Sequence, residues 1–227
     1  MHRFRTYTKL WIKQESKPEK KARTRRILSI LQKKYPAAKI MLRYSNTIQL
    51  MVAVMLSAQC TDKKVNEVTK VLFKKYKTVD DFADADLKTF ELEIRQTGFY
   101  HAKAKNIIAA AQKIRNNSNG KFPRAIEEAI TLPGIGRKSA NVIIGNAYGI
   151  IEGIAVDTHV GRLAQRWGLT ASDNPIKIEQ DLMRLVPEKD WLKSTYLTIE
   201  HGRAICTAQR RKCEMCPLKN ICPSSLV

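Results

Sequence analysis

Residues 122–149 read FPRAIEEAITLPGIGRKSANVIIGNAYG, a pattern that predicts a helix, a tight turn and a second helix. Pro133 ends the first helix, since proline disfavours helical geometry in the residue before it. Gly134 and Gly136 allow the backbone to turn sharply and to approach a partner closely. The turn amides and the N-terminus of the second helix can bind a phosphate group. A turn that only packs two helices together is the alternative. The candidate phosphate contacts are Gly134, Ile135, Gly136 and Arg137.

Helical periodicity recurs along the rest of the chain, and no segment has the alternating pattern of a β-strand. Residues 48–57 are apolar on nearly all sides, which predicts a central buried helix. Amphipathic helices are predicted over the ranges 21–35, 62–76, 85–96, 102–116, 158–167 and 176–185. The expected fold class is therefore all-α.

Lys138 lies in the first turn of the helix that follows the two glycines. The positive end of the helix dipole disfavours a cation there, and partial burial with neighbouring positive charge is expected to act in the same direction. These effects favour the neutral amine, which can attack an electrophilic carbon and form a Schiff base. A lysine that only binds phosphate is the alternative.

Asp157 directly precedes the predicted helix 158–167 and is placed to be its N-cap. The same helix terminus keeps the carboxylate ionised, and an ionised carboxylate can stabilise a developing sugar cation or orient a nucleophile. From spacing alone, capping explains the aspartate. His159 and His201 are interpreted as structural histidines.

Four of the five cysteines crowd together near the end of the sequence in the pattern C-x6-C-x2-C-x5-C, as Cys206, Cys213, Cys216 and Cys222. Thiolates this close can enclose one metal centre. Zinc sites normally use two close pairs with a longer span between them, and four cysteines also suit an iron–sulfur cluster, so spacing leaves both open. A pinned loop between the first two cysteines would present three basic side chains to phosphates, namely Arg210, Arg211 and Lys212.

The charge balance indicates a polyanionic partner. Lysine and arginine number 41 against 21 acids, which gives a formal net charge of +20. Nucleic acid is the expected partner because phosphate contacts dominate its affinity, although a basic surface without a partner has the same composition. No apolar stretch reaches the length of a transmembrane helix, and the N-terminus lacks the apolar core of a secretory signal. We expect the chain inside the cell, in the cytoplasm or nucleoid, with import into an organelle left open.

Together these motifs resemble the endonuclease III family of base excision repair glycosylases. The resemblance runs from about Arg25 to Pro223. It is carried by MLSAQCTD (55–62), LPGIGRKSANV (132–142), VDTH (156–159), EHGR (200–203) and the cysteine pattern.

The resemblance implies a helix-hairpin-helix glycosylase fold, with two helical lobes flanking a DNA-binding cleft. Residues 41–150 would form a six-helix barrel. Residues 25–40 and 151–223 would form a lobe whose four cysteines hold a [4Fe–4S] cluster. Residues 1–24 would be a basic tail.

The resemblance also implies a bifunctional enzyme that removes oxidised pyrimidines from duplex DNA and cleaves the abasic strand by β-elimination. Lys138 would attack C1′ of the deoxyribose and Asp157 would assist. Gln59 would fill the space left by the flipped base, with a solvated loop amide as its alternative. Phe99 would be a wedge where the family commonly has leucine, and His101 replaces a common asparagine.

The expected partner is double-stranded DNA with damaged bases or abasic sites, bound by a monomer without a membrane. A mismatch-specific monofunctional glycosylase and a non-catalytic helix-hairpin-helix DNA-binding protein are the alternatives. The combination of Lys138 with Asp157 argues against both of them.

Overall fold

The computed structural model describes residues 7–227, which form helices and contain no β-strand. An isolated antiparallel bridge joins Cys206 and Arg211. The all-α prediction is therefore confirmed. The eleven α-helices of this range are α1 (Lys17–Lys34), α2 (Thr47–Leu56), α3 (Asp62–Lys75), α4 (Val79–Ala83), α5 (Leu87–Ile94), α6 (Tyr100–Asn117), α7 (Ile126–Ala129), α8 (Arg137–Tyr148), α9 (Thr158–Arg166), α10 (Pro175–Leu185) and α11 (Trp191–Ala204). Short 3₁₀ helices cover Leu10–Lys13, Arg95–Thr97, Glu188–Asp190 and Cys213–Met215.

Helix α1 begins earlier than the apolar pattern indicates. Ser16 accepts a hydrogen bond from the backbone of Glu19, and the Glu19 side chain accepts one from the backbone of Ser16. This reciprocal capping box, with Pro18 in the first turn, starts the helix at Lys17. Residues 17–24 are thus the first part of α1, whereas the sequence predicted a tail up to residue 24.

The chain divides into two compact units, of which one is Ile40–Glu152. Its core is built on α2, in which nine of ten residues are buried. Helices α3, α6 and α8 pack on α2, and α4 and α5 pack on α6. The prediction of a central buried helix over residues 48–57 is confirmed, because a helix that is apolar on all sides is stable only when other helices cover it.

The second unit combines the chain up to Lys39 with Gly153–Val227. Within it, α1 packs on α10 and α11, and α9 packs on the same two helices. No helix in the described range is both long and apolar enough to cross a membrane.

The described part of the N-terminal segment contacts distant residues of the second unit, to which it belongs. The backbone amides of Thr8 and Lys9 donate hydrogen bonds to the carbonyl of Pro223, at 2.8 and 3.0 Å. Ile12 lies so close to Gly168 that a Cβ at that glycine would be 2.9 Å from its Cδ1. These residues of the expected basic tail therefore contact residues that are distant in sequence. Residues 1–6 of the predicted tail lie outside the described residues.

Candidate functional site

The turn between α7 and α8 requires glycine at position 134. Gly134 has a φ of +75°, in the left-handed region that favours glycine. A Cβ at this position would lie 2.9 Å from both Asn106 Cβ and Met55 Cε. The turn therefore packs tightly against α2 and α6, which fixes the start of α8.

Gly136 has a different environment. Its φ of −95° is open to any residue, and no heavy atom lies within 4 Å of an added Cβ. It is the N-cap of α8, and its carbonyl accepts the first helical hydrogen bond from Ala140, at 2.9 Å. The fold within the chain does not require glycine here, and the missing side chain leaves open space in front of the helix N-terminus.

The other residues of the hairpin differ in how far their side chains are exposed. Ile135 is 4% exposed and belongs to the core, so only its backbone remains for a ligand. Arg137 and Lys138 are exposed in the first turn of α8. The predicted place of Lys138 is confirmed, but the expected partial burial is wrong because this face of α8 points outward.

Asp157 is the N-cap of α9, as the sequence indicates. Its Oδ1 accepts a hydrogen bond from the backbone amide of Val160 at 2.8 Å, and the residue is half-buried. The cap fixes the carboxylate against the first turn of α9. On the same helix, His159 Nδ1 lies 3.1 Å from Nη2 of the buried Arg162, which supports a structural interpretation of this histidine.

Gln59 and Phe99 share an unusual backbone geometry. Their φ angles are +52° and +49°, which non-glycine residues seldom adopt. Both side chains are exposed, Phe99 to 67%. Together with Gly134 they line one pocket of the Ile40–Glu152 unit. The structure thus brings together three residues that the sequence analysis assigned separately.

Several further residues line this pocket, and the sequence analysis did not identify them: Met55, Ala58, Ala102, Lys103 and Asn106. Near it, His101 Nδ1 lies 2.8 Å from a carboxylate oxygen of Glu91. A signal for Lys103 was present, since it occupies a position on the apolar stripe of α6 that a buried residue normally fills.

The four clustered cysteines line one open cavity in the second unit. All four are half-buried and none forms a disulfide. Burial raises the pKa of Cys216 to about 11 and that of Cys222 to about 12, against backbone amides of Leu218 and Ser224 that lower them. Within the described range, no three His, Cys, Asp or Glu side chains are arranged to hold a single metal ion.

Polar groups also lie close to the cysteine sulfur atoms. Nη1 of the buried Arg166 donates to Cys206 Sγ at 3.1 Å and to the carbonyl of Thr207 at 2.7 Å. His201 is 1% exposed, and burial lowers its pKa to about 4. Its Nε2 lies 3.5 Å from Cys216 Sγ and its Nδ1 lies 3.4 Å from the Tyr35 hydroxyl. The donor set therefore fits a thiolate-ligated group.

The basic loop after Cys206 is held by its own contacts. The Thr207 hydroxyl donates to the carbonyl of Arg210 at 2.7 Å. Nη1 of the half-buried Arg211 donates to the carbonyl of Ser224 at 2.8 Å. Arg210 and Lys212 are exposed. Of the three predicted basic contacts, these two present their side chains most openly.

Comparison with known proteins places the chain among DNA repair proteins. The model of the HhH-GPD superfamily base excision DNA repair proteins matches residues 52–188. The chain is 48% identical to an endonuclease III of Synechocystis sp. over 91% of its own length and 94% of that protein. It is 43% identical to an endonuclease III of Bacillus subtilis, with 83% and 86% covered.

A solved structure of a trapped endonuclease III–DNA covalent intermediate, an estranged-adenine complex, superposes with a TM-score of 0.86. It is 40% identical to the chain, and the match covers 90% of the chain and 96% of the other protein. The fold described above is therefore shared with these proteins.

We predict that Asp157→Asn leaves the free energy of unfolding within about 0.5 kcal/mol of the wild type, whereas Asp157→Ala lowers it by about 1 kcal/mol. Asparagine keeps the side-chain oxygen that caps α9, and alanine removes it. Urea unfolding followed by circular dichroism measures both values. An equal loss in the two variants would contradict a role limited to the cap oxygen and would indicate that the charge itself stabilises the fold.

Proposed function

The chain belongs to the HhH-GPD superfamily of base excision DNA repair proteins, and to the endonuclease III family within it, and we propose that it is a bifunctional DNA glycosylase and abasic-site lyase. It removes oxidised pyrimidines from duplex DNA and then cleaves the strand at the resulting abasic site. The observation that carries this proposal is an exposed lysine, Lys138, in the first turn of a helix that follows an open glycine turn.

We assign Lys138 as the nucleophile. The damaged nucleotide is first flipped out of the duplex, at a lower cost than an intact one because damage weakens pairing and stacking. The neutral Nζ attacks C1′ of the deoxyribose, the bond from C1′ to the base breaks, and the base leaves with a proton. The sugar ring opens to a Schiff base between Nζ and C1′. Loss of a C2′ proton then expels the 3′ phosphate, and water releases the lysine.

We assign Asp157 as the carboxylate that assists base release. Its cap on α9 holds it in one orientation, and a preorganised negative charge stabilises a sugar on which positive charge develops. Asparagine keeps the cap but supplies no negative charge.

We propose that DNA is bound through three groups of residues. The N-terminus of α8, with the open space at Gly136, binds a phosphate. Gln59 and Phe99 enter the base stack, where apolar side chains can wedge between base steps. Exposed Arg210 and Lys212 contact phosphates, in keeping with the net charge of +20. Because DNA is the proposed partner, we also propose that the chain acts in the compartment of the cell that contains the DNA.

We infer that the four cysteines hold a [4Fe–4S] cluster. The inference is supported by their common cavity, by the Arg166 N–H directed at Cys206 Sγ, and by the backbone amides near Cys216 and Cys222. When bound, such a cluster cross-links four positions of the chain. We also propose the two lobes that the resemblance implies. Residues 41–150 form the barrel, and residues 25–40 and 151–223 form the cluster lobe.

We predict that Lys138→Gln forms no covalent adduct with DNA and loses both base release and strand cleavage by at least about 10³-fold. The amide cannot form a Schiff base, but the side chain stays polar and is only one atom shorter. Borohydride trapping on a duplex with one thymine glycol measures the adduct, and product analysis measures base release and cleavage.

Lys177→Gln is the matched control, because Lys177 is also an exposed lysine in the first turn of a helix, α10. It should trap DNA as the wild type does. Base release without an adduct in the wild type would instead indicate a monofunctional glycosylase. Binding without either product on any lesion would indicate a non-catalytic DNA-binding protein.

We predict that Gly136→Ala weakens binding to DNA with an abasic-site analogue by about tenfold, through loss of a phosphate contact. It should change the free energy of unfolding by less than about 1 kcal/mol, because nothing in the chain obstructs the added methyl group. Gly134→Ala should lower that free energy by more than about 1 kcal/mol, since its backbone and neighbours both oppose a Cβ. Fluorescence anisotropy and urea unfolding measure these effects. An equal loss of stability in both variants would contradict the distinction.

We predict that the purified chain contains about four iron atoms with matching sulfide, and that Cys213→Ser loses most of both. Cys60→Ser is the control and should keep them, because Cys60 belongs to the Ile40–Glu152 unit. Iron and sulfide determination on purified protein checks this without any activity assay. One zinc ion per chain in place of iron would contradict the cluster assignment.

A further inference from the structure

Lys103 is a buried cation that the proposed chemistry does not use. It is 7% exposed, and it occupies the apolar stripe of α6 together with Ile107, Ala110 and Ile114, which are fully buried. Lysine is seldom buried to this extent without a partner that offsets the cost. Packing alone therefore does not explain why a lysine stands at this position.

Two effects disfavour a charged lysine at this place. Lys103 is the fourth residue of α6, and its backbone amide makes a helical hydrogen bond to Phe99 O at 3.0 Å. The positive end of the helix dipole acts on a cation in the first turns of a helix. Burial lowers the pKa of Lys103, and the thiol of Cys60 opposes this shift only in part.

Two carbonyl groups offset this cost. Lys103 Nζ donates to the carbonyl oxygens of Leu56 and Thr97, each at 2.8 Å. Leu56 is the last residue of α2, where carbonyls lack a helical partner. Thr97 ends the 3₁₀ helix Arg95–Thr97. A single ammonium group thus joins the ends of two separate elements.

Each of these carbonyls lies two or three residues before a non-glycine residue with left-handed backbone. Gln59 follows Leu56 by three residues, and Phe99 follows Thr97 by two. Lys103, Gln59 and Phe99 also line the same pocket. The ammonium group is therefore placed where it sets the separation between the two turns.

We propose that Lys103 is a positioning residue that fixes the turns of Gln59 and Phe99 relative to each other, so that both side chains enter damaged DNA together. This inference rests on the proposed function. Lys103 touches no reacting atom. Its effect is on base extrusion, because a misplaced turn lets one side chain enter the base stack without the other.

The test compares two substrates that differ in what must be extruded. A thymine glycol must be unpaired and unstacked before it is excised, whereas an abasic site has no base to unpair. Single-turnover rates are measured for excision on the first duplex and for strand cleavage on the second, each normalised to the fraction of protein that borohydride traps. In Lys103→Met, the ratio of excision to cleavage should fall by about tenfold or more.

Methionine fills a similar volume but cannot donate a hydrogen bond. The matched control is Lys105→Met, which removes a charge from an exposed position of the same helix and should keep the wild-type ratio. A merely structural role for Lys103 would lower both normalised rates equally or leave them unchanged. A ratio within about twofold of the wild type would therefore overturn the proposal.

If Lys103→Met does not fold, the same ratio is measured for Lys103→Arg. Arginine keeps the charge, but its planar guanidinium cannot place one nitrogen between both carbonyls. It should also lower the ratio, by less than methionine would, and an unchanged ratio would again overturn the proposal. A wild-type protein without excision or trapping would instead refute the proposed function, which separates the two failures.

Discussion

The burial of α2 on all sides is the constraint on which the Ile40–Glu152 unit depends. Nine of its ten residues are buried, so three other helices must cover it, and its C-terminal end has a fixed position. That end carries the groups that shape the candidate site. Met55 contacts the turn at Gly134, and the Leu56 carbonyl accepts a hydrogen bond from Lys103. A buried helix therefore determines where the functional turns lie, although it contributes few polar groups of its own.

The fold was largely predictable because its signals are local. The apolar periodicity indicated the positions of most helices, and Asp157 could be recognised as an N-cap from its place before α9. The place of Lys138 in the first turn of α8 also follows from the glycines before it. The exposure of Lys138 could not be predicted, because it depends on which face of α8 the neighbouring helices cover. The roles assigned to these two residues remain proposals.

The parts that could not be predicted depend on contacts between distant residues. The left-handed backbone of Gln59 and Phe99 has no sequence signal of the kind that glycine gives, and nothing local shows that they share a pocket. The buried Arg166 is similar, since a charged side chain is normally assigned to the surface. Its partners are carbonyls and a sulfur atom that lie some forty residues further along the chain. A pattern of residue types cannot show such partners in advance.

The division of the chain has a consequence for the order in which the protein is made. The unit Ile40–Glu152 is continuous, so all the residues that pack within it are synthesised before the chain that follows it. Helix α1 precedes this unit in the sequence, but it packs on α10 and α11, and Thr8 and Lys9 bind the carbonyl of Pro223. Helix α1 is therefore synthesised well before its partners, and the second unit can be completed only after the chain has been made as far as Pro223.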